Sequence, residues 1–206
     1  ILTDLAIKNL VNHQKGALEY ALLAVSGLKS SADIATYSSK IGRLHYSFRG
    51  HIKEKTDAKL SGFERAYMAH EFLWSGNPER YNSNVTLDKV VNAELAKEQV
   101  GNCVGLTSLY AVMLEREGIR SEIVVTHNHV LSRLRSKKRT VDIENTSKCG
   151  FASVHHIDKP SIPSYCLVAA VLNDQAKELK GSTKNNQALM YLDFALKIWP
   201  EYVNAL

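Results

Sequence analysis

Cysteine is scarce in this sequence, with three in 206 residues. An odd number leaves at least one thiol free in a monomer, and so low a count excludes a disulfide-stapled scaffold. No apolar run approaches the ~20 residues of a membrane span. The longest, "YALLAVSGL" at 20–28, is short and flanked by polar residues. RNP, zinc-finger and helix-turn-helix signatures are missing, so no nucleic-acid partner is expected. No CxxC or HExxH occurs among Cys103, Cys149, His127, His129, His155 and His156, and neither a metal nor a cofactor is expected. Charge of one sign is only mildly in excess, at +5 with a pI near 9.0. It is spread along the chain apart from one knot, "RLRSKKR" at 133–139, which reads as a solvated hairpin tip.

What is present is ordinary globular material, 45% hydrophobic and 23% charged, enough for one good core. The chain opens on Ile1 rather than Met, which reads as a processed chain or an excised segment. Either a cytoplasmic or an exported prokaryotic setting fits. The sequons at Asn84 and Asn145 would matter only in a eukaryotic secreted protein.

Leucines at helical spacing predict helix over 1–28, with a break at Gly16. "SSAD" at 30–33 reads as a cap for a helix carrying Ile34, Tyr37, Ile41, Leu44 and Phe48, closed by Gly50. Ser61 and Glu64 form a capping-box pattern ahead of a helix over 61–74, and "TLDKVVNAELAKEQ" predicts another after the loop at 75–84. Leu106, Leu109, Tyr110, Met113 and Leu114 trace a core-facing helix that Gly118 stops. "SEIVVTHNHVLSRL" at 121–134 reads as one strand and "RTVDIEN" at 139–145 as a second, with the basic knot as their turn. From Pro163 the pattern is helical again. The expected class is α+β, with a helical region at 1–60, a core at 61–160 and a helical extension at 161–206.

"GNCVGLTSLY" at 101–110 places Cys103 at the first turn of a helix, with Gly101 and Gly105 beside it. Unpaired N–H groups and the helix dipole favour negative charge there, which is what a thiolate nucleophile requires. The small neighbours predict an accessible sulfur. Such a nucleophile needs a base and a group to orient that base. His127 and His129 lie two apart and so on one strand face, as do Asp142 and Glu144 on the next. A hairpin turning at Arg135 and Ser136 would set Asp142 opposite His129 and Glu144 opposite His127. The backbone N–H of Cys103 is the natural oxyanion donor, with Gln99 as a second and Asn82, Asn84 and Asn102 competing. Cys166, among apolar helical residues, reads as a buried small hydrophobe, and Cys149 as a loop thiol or one near the site.

The ordered pattern "GNCVGLTSLYAVMLEREGI … NHVLSRL … TVDIEN" resembles the core of the transglutaminase-like superfamily across roughly 60–146. That resemblance implies a papain-like scaffold, a helix packed on an antiparallel sheet. It implies Cys103 as nucleophile, His129 as general base and acid because of its "HV" step, and Asp142 as orienter. Gln99 as an oxyanion donor follows by analogy with papain-like enzymes. Val104 departs from the Trp that animal transglutaminases often carry, and "CVGLTSLY" is closer to bacterial and archaeal members, which argues against true protein cross-linking. Separately, Ala188, Leu192, Ala195 and Pro200, with Leu172, Ala176 and Leu179 upstream, make 169–202 resemble one tetratricopeptide repeat, although Gln175 and Leu179 depart from it. The expected function is cysteine-dependent acyl transfer or hydrolysis at an amide or isopeptide bond of a peptide or protein substrate. The alternative is a catalytically silent protein-binding platform using the helical repeat.

Overall fold

Residues 3–28, 30–76, 79–136, 139–151, 158–180 and 183–202 are described by the computed structural model. Helices α1 (Asp4–Val11) and α2 (Ala17–Val25) are separated by a turn in which Gly16 takes a φ of 78°. In α3 (Ser31–Lys55) Ser30 and Asp33 form a reciprocal capping box. Gly50 does not end this helix, which runs one turn further because nothing at Gly50 demands a left-handed backbone. Ser61 and Glu64 cap α4 (Gly62–Ser75) in the same way. After the loop comes α5 (Leu87–Ala96), which Lys97 ends in the left-handed region at φ 60°.

The centre of the molecule is α6 (Cys103–Arg116), every residue of which from Val104 to Leu114 is buried. An all-buried helix needs partners on every side. One of them is α4, where Ala66 accepts from the Tyr110 hydroxyl at 2.9 Å. At its C-terminus Gly118 (φ 71°) and Ile119 donate back to Glu115 and Leu114, the paired bonds of a Schellman stop.

The sheet contains β1 (Glu122–Val125), β2 (Val130–Arg135), β3 (Thr140–Ile143) and β4 (Ile162–Pro163), in the order β3-β2-β1-β4 and antiparallel throughout. The long strand expected at 121–134 is therefore two strands. Thr126 donates to the His129 carbonyl at 2.8 Å, closing a tight turn over His127 and Asn128. Two apolar β-branched flanks hid that turn, because it has neither Gly nor Pro.

The β2–β3 ladder also differs from expectation. Asp142 lies opposite Arg133, not His129, and the loop spans 136–139. Arg133 and Asp142 form a two-pronged ion pair (2.5 and 2.7 Å), both side chains buried, and Arg133 also donates to the Lys159 carbonyl. The basic knot is thus not wholly solvated: Arg133 is inside, Arg135 pairs with Glu122, and Arg139 lies over the Phe63 ring. Lys137 and Lys138 lie outside the described residues.

A 3-10 turn (Ser164–Cys166) leads into α7 (Leu167–Leu179), which packs against α8 (Asn185–Ile198) as the expected helical pair. Small residues make the contact close: Ala176, Ala188 and Ala195 are all buried. The architecture is α+β, and a single apolar cluster draws on the N-terminal helices, on α6 and the sheet, and on α7 and α8. Among the described residues, no helix is long and apolar enough to cross a membrane.

Candidate active site

Cys103 is the first residue of α6 and is partly exposed. The side chain of Asn102 caps the helix by accepting from Gly105 N–H at 2.9 Å. The approach to Cys103 is held from the side. Arg80 accepts from Val100 and Gly101 N–H through its backbone, and Asn84 accepts from Asn102 N–H at 3.0 Å. Arg80 is itself buried, paired with Glu94 at 2.6 Å and bound to the Leu73 carbonyl. Burial pushes the Glu94 carboxyl up and the Arg80 guanidinium down, and each charge opposes that shift in the other.

Gly101 and Gly105 are small for a different reason than accessibility of the sulfur. A methyl group at Gly105 would come within 2.5 Å of the Asn84 carbonyl oxygen and 2.8 Å of Val90, and one at Gly101 would meet the same two groups. They let α6 close against α5 and the loop before it.

His129, at the end of the tight turn, faces both Cys103 and Glu144. Its Nε2 lies 2.5 Å from Glu144 Oε2, which leaves the other ring nitrogen for the sulfur. Hydrogen bonding to Cys103, then to Glu144, outweighs burial and raises the His129 pKa to about 10. Burial favours the neutral form of Glu144, but hydrogen bonds from His129 and from the Thr146 side chain and amide hold it below the usual carboxylate range.

The carboxylate bonded to His129 is thus Glu144, and Asp142, expected beside that histidine, lies outside the cluster. Asp142 pairs with Arg133, four residues along the chain from the His129 that the expected hairpin set opposite it, and Glu144, just past the end of β3, is the carboxylate that reaches the His129 ring. His127 is exposed at the turn tip rather than facing the site beside His129. Gln99 is exposed, and its carbonyl accepts from Asn82 at 3.3 Å, so it sits on the surface segment leading to Cys103 rather than in a socket that would fix its amide. Asn82, Asn84 and Asn102 are occupied as tethers or caps.

Beneath these residues lies a layer that sequence reading missed. Thr107, one helical turn after Cys103, donates to the Val130 carbonyl next to His129. Asn145, next to Glu144, donates to Thr107 Oγ1 at 3.0 Å and to Ser132 Oγ at 2.9 Å. These bonds tie α6, β2 and the end of β3 to one another beneath the three site residues. Asn145 is 4% exposed, which removes it as a glycosylation acceptor in the folded chain.

The segment after Glu144 folds back tightly. Glu144 N–H donates to the Gly150 carbonyl, Ser147 N–H to the Glu144 carbonyl, and the His70 ring lies 3.4 Å from that same carbonyl. A methyl group at Gly150 would overlap the Glu144 carbonyl. Burial lowers the His70 pKa to about 4, so it stays neutral. Helical periodicity placed His70 on the core face of α4 but gave no hint of this contact.

Of the other thiols, Cys166 is buried, and burial pushes it up to about 12; Cys149 is exposed on the loop. His155 and His156 lie outside the described residues. No protein-family model matches the chain, and no curated protein or solved structure does either.

Proposed function

We propose that this protein is a thiol enzyme that cleaves or exchanges an amide or isopeptide bond of a peptide or protein, with Cys103, His129 and Glu144 as its working groups. The observation that carries this reading is the His129 imidazole bonded to the half-buried Glu144 carboxylate and interacting with the Cys103 thiol that opens α6. Thiol hydrolases and acyltransferases require that order of groups. The transglutaminase-like resemblance of the sequence points the same way.

In the proposed reaction the Cys103 thiolate adds to the carbonyl carbon, and the carbonyl electrons move onto oxygen. The N–H of Cys103 has no intrahelical acceptor because it opens α6, so it donates to that oxyanion. When the tetrahedral adduct collapses, the C–N bond breaks and His129 hands its proton to the leaving amine. A thioester remains. Water or a second amine then attacks it, His129 takes the incoming proton, and the thiolate departs. Glu144 keeps the ring aligned through both proton transfers.

The test is selective alkylation. At about pH 6 an ordinary thiol of pKa ~8.5 is almost wholly protonated. Iodoacetamide should therefore label Cys103 well before exposed Cys149, and buried Cys166 only on unfolding. His129→Ala should slow labelling of Cys103, and Cys103→Ser should abolish acyl-enzyme formation with electrophilic peptide probes. Labelling of Cys103 no faster than that of Cys149 would leave a non-catalytic binding domain as the better reading.

A further inference from the structure

The two oxygens of the Glu144 carboxylate have separate partners. Oε2 faces His129, whereas Oε1 accepts twice from one residue: from Thr146 N–H at 2.8 Å and from Thr146 Oγ1–H at 2.5 Å. A carboxylate on a flexible side chain can rotate about its last bond and present either oxygen, or neither, to a neighbour. Two donors fixed on the same oxygen remove that freedom. Thr146 is only two residues on, and its own neighbour Asn145 is locked under the sheet by Thr107 and Ser132. The clamp is therefore anchored to the same layer that fixes α6 and β2.

We propose that Thr146 is a positioning residue that clamps Glu144 so that its free oxygen meets the His129 ring. This rests on the thiol-enzyme reading for its consequence in catalysis, but its geometric content stands on the hydrogen bonds alone. The hydroxyl is the specific element, because the backbone N–H survives every substitution except proline. Thr146→Val keeps the branched shape and loses the O–H. Thr146→Ser keeps the O–H and loses a methyl group.

The experiment follows the His129 ring by NMR titration in the wild-type protein and the two variants, beside the rate of Cys103 alkylation at about pH 6. Among the described residues, the titrating and charged groups facing this cluster are Cys103 from α6 and Glu144 itself. His70 from α4 lies behind the Glu144 carbonyl, with Arg80 acting on His70. Thr146→Val should lower the His129 titration midpoint by about one unit and slow alkylation severalfold, because a ring no longer held in line stabilises the thiolate less, with Thr146→Ser restoring both. A merely structural role would change the melting temperature and leave the titration where it was. Thr146→Val with the wild-type midpoint and rate would overturn the proposal. A shift that Thr146→Ser fails to reverse would also overturn it, since the loss would then belong to packing. If wild-type Cys103 is not selectively alkylated, the enzyme reading fails, while the His129 titration still decides whether Thr146 holds Glu144.

Discussion

Asp142 and Glu144 are two carboxylates two residues apart, and they have different partners: Arg133 for the first and His129 for the second. Side chains alternate along a strand, so sliding a ladder by an even number of residues preserves every face. The sequence therefore showed that an acid would face the histidine, and left open which one. What decides it is Arg133, whose buried guanidinium needs a carboxylate directly opposite and takes Asp142. Glu144→Gln should reduce turnover by about 10²–10⁴-fold, the usual range for disturbing acid–base machinery, with little change in melting temperature. Asp142→Asn should instead cost about 3 kcal/mol, because it strands a buried cation. Steady-state rates and urea unfolding of both variants separate these outcomes. A stable but inactive Asp142→Asn protein would reverse the assignment. The thiol and the histidine were legible, because a helix N-terminus and a short His-Val step are local features. The choice of carboxylate was not, because it depends on a pairing across strands.

Among the elements, those with caps written into their first turn were readable from the sequence: Ser30–Asp33 and Ser61–Glu64 both cap as their spacing suggests. The tight turn at His127–Asn128 was not, since nothing in "VVTHNHV" breaks the β pattern and only pairing with β2 makes it a corner. That corner matters for the site, because it delivers His129 to the start of β2 and over the N-terminus of α6. The other half of the delivery is the close seating of α6 against the segment 80–84 and α5. A side chain at Gly105 would push Asn84 and Val90 away, and with them the bonds that hold Asn102. Gly105→Ala should therefore destabilise the fold by about 1–3 kcal/mol, the usual cost of overpacking. It should also slow Cys103 alkylation at pH 6, because the helix start shifts relative to His129. Chemical denaturation and the alkylation rate measure the two effects. Unchanged values for both would mean that the approach of α6 to Asn84 is not needed.

At the scale of the whole molecule, the helical pair α7–α8 was expected from its small-large spacing, but its depth in the structure was not. Helical periodicity shows which face is apolar and says little about what covers it. Here the first two turns of α7 are wholly buried: Leu167, Val168, Val171 and Leu172 all join the cluster that contains α2 and α6. Gln175 adds a hydrogen bond to the Val25 carbonyl at 2.8 Å, which explains its place where a repeat would carry Leu. Burying a side chain of this size contributes about 1.5–3 kcal/mol, so these four together match the ~5–15 kcal/mol that a whole domain has available. Upstream, Ile162 and Pro163 pair with β1, so the same segment also completes the sheet edge nearest α7. A chain ended after Pro163 would expose the faces of α2 and α6 that α7 covers. It should lose cooperative thermal unfolding, bind hydrophobic dyes such as ANS, and lose the selective alkylation of Cys103, since α6 can no longer hold its place against the sheet. If the shortened chain instead melts sharply and keeps Cys103 as the preferred target, then α7 and α8 form an appended unit and the site is complete without them.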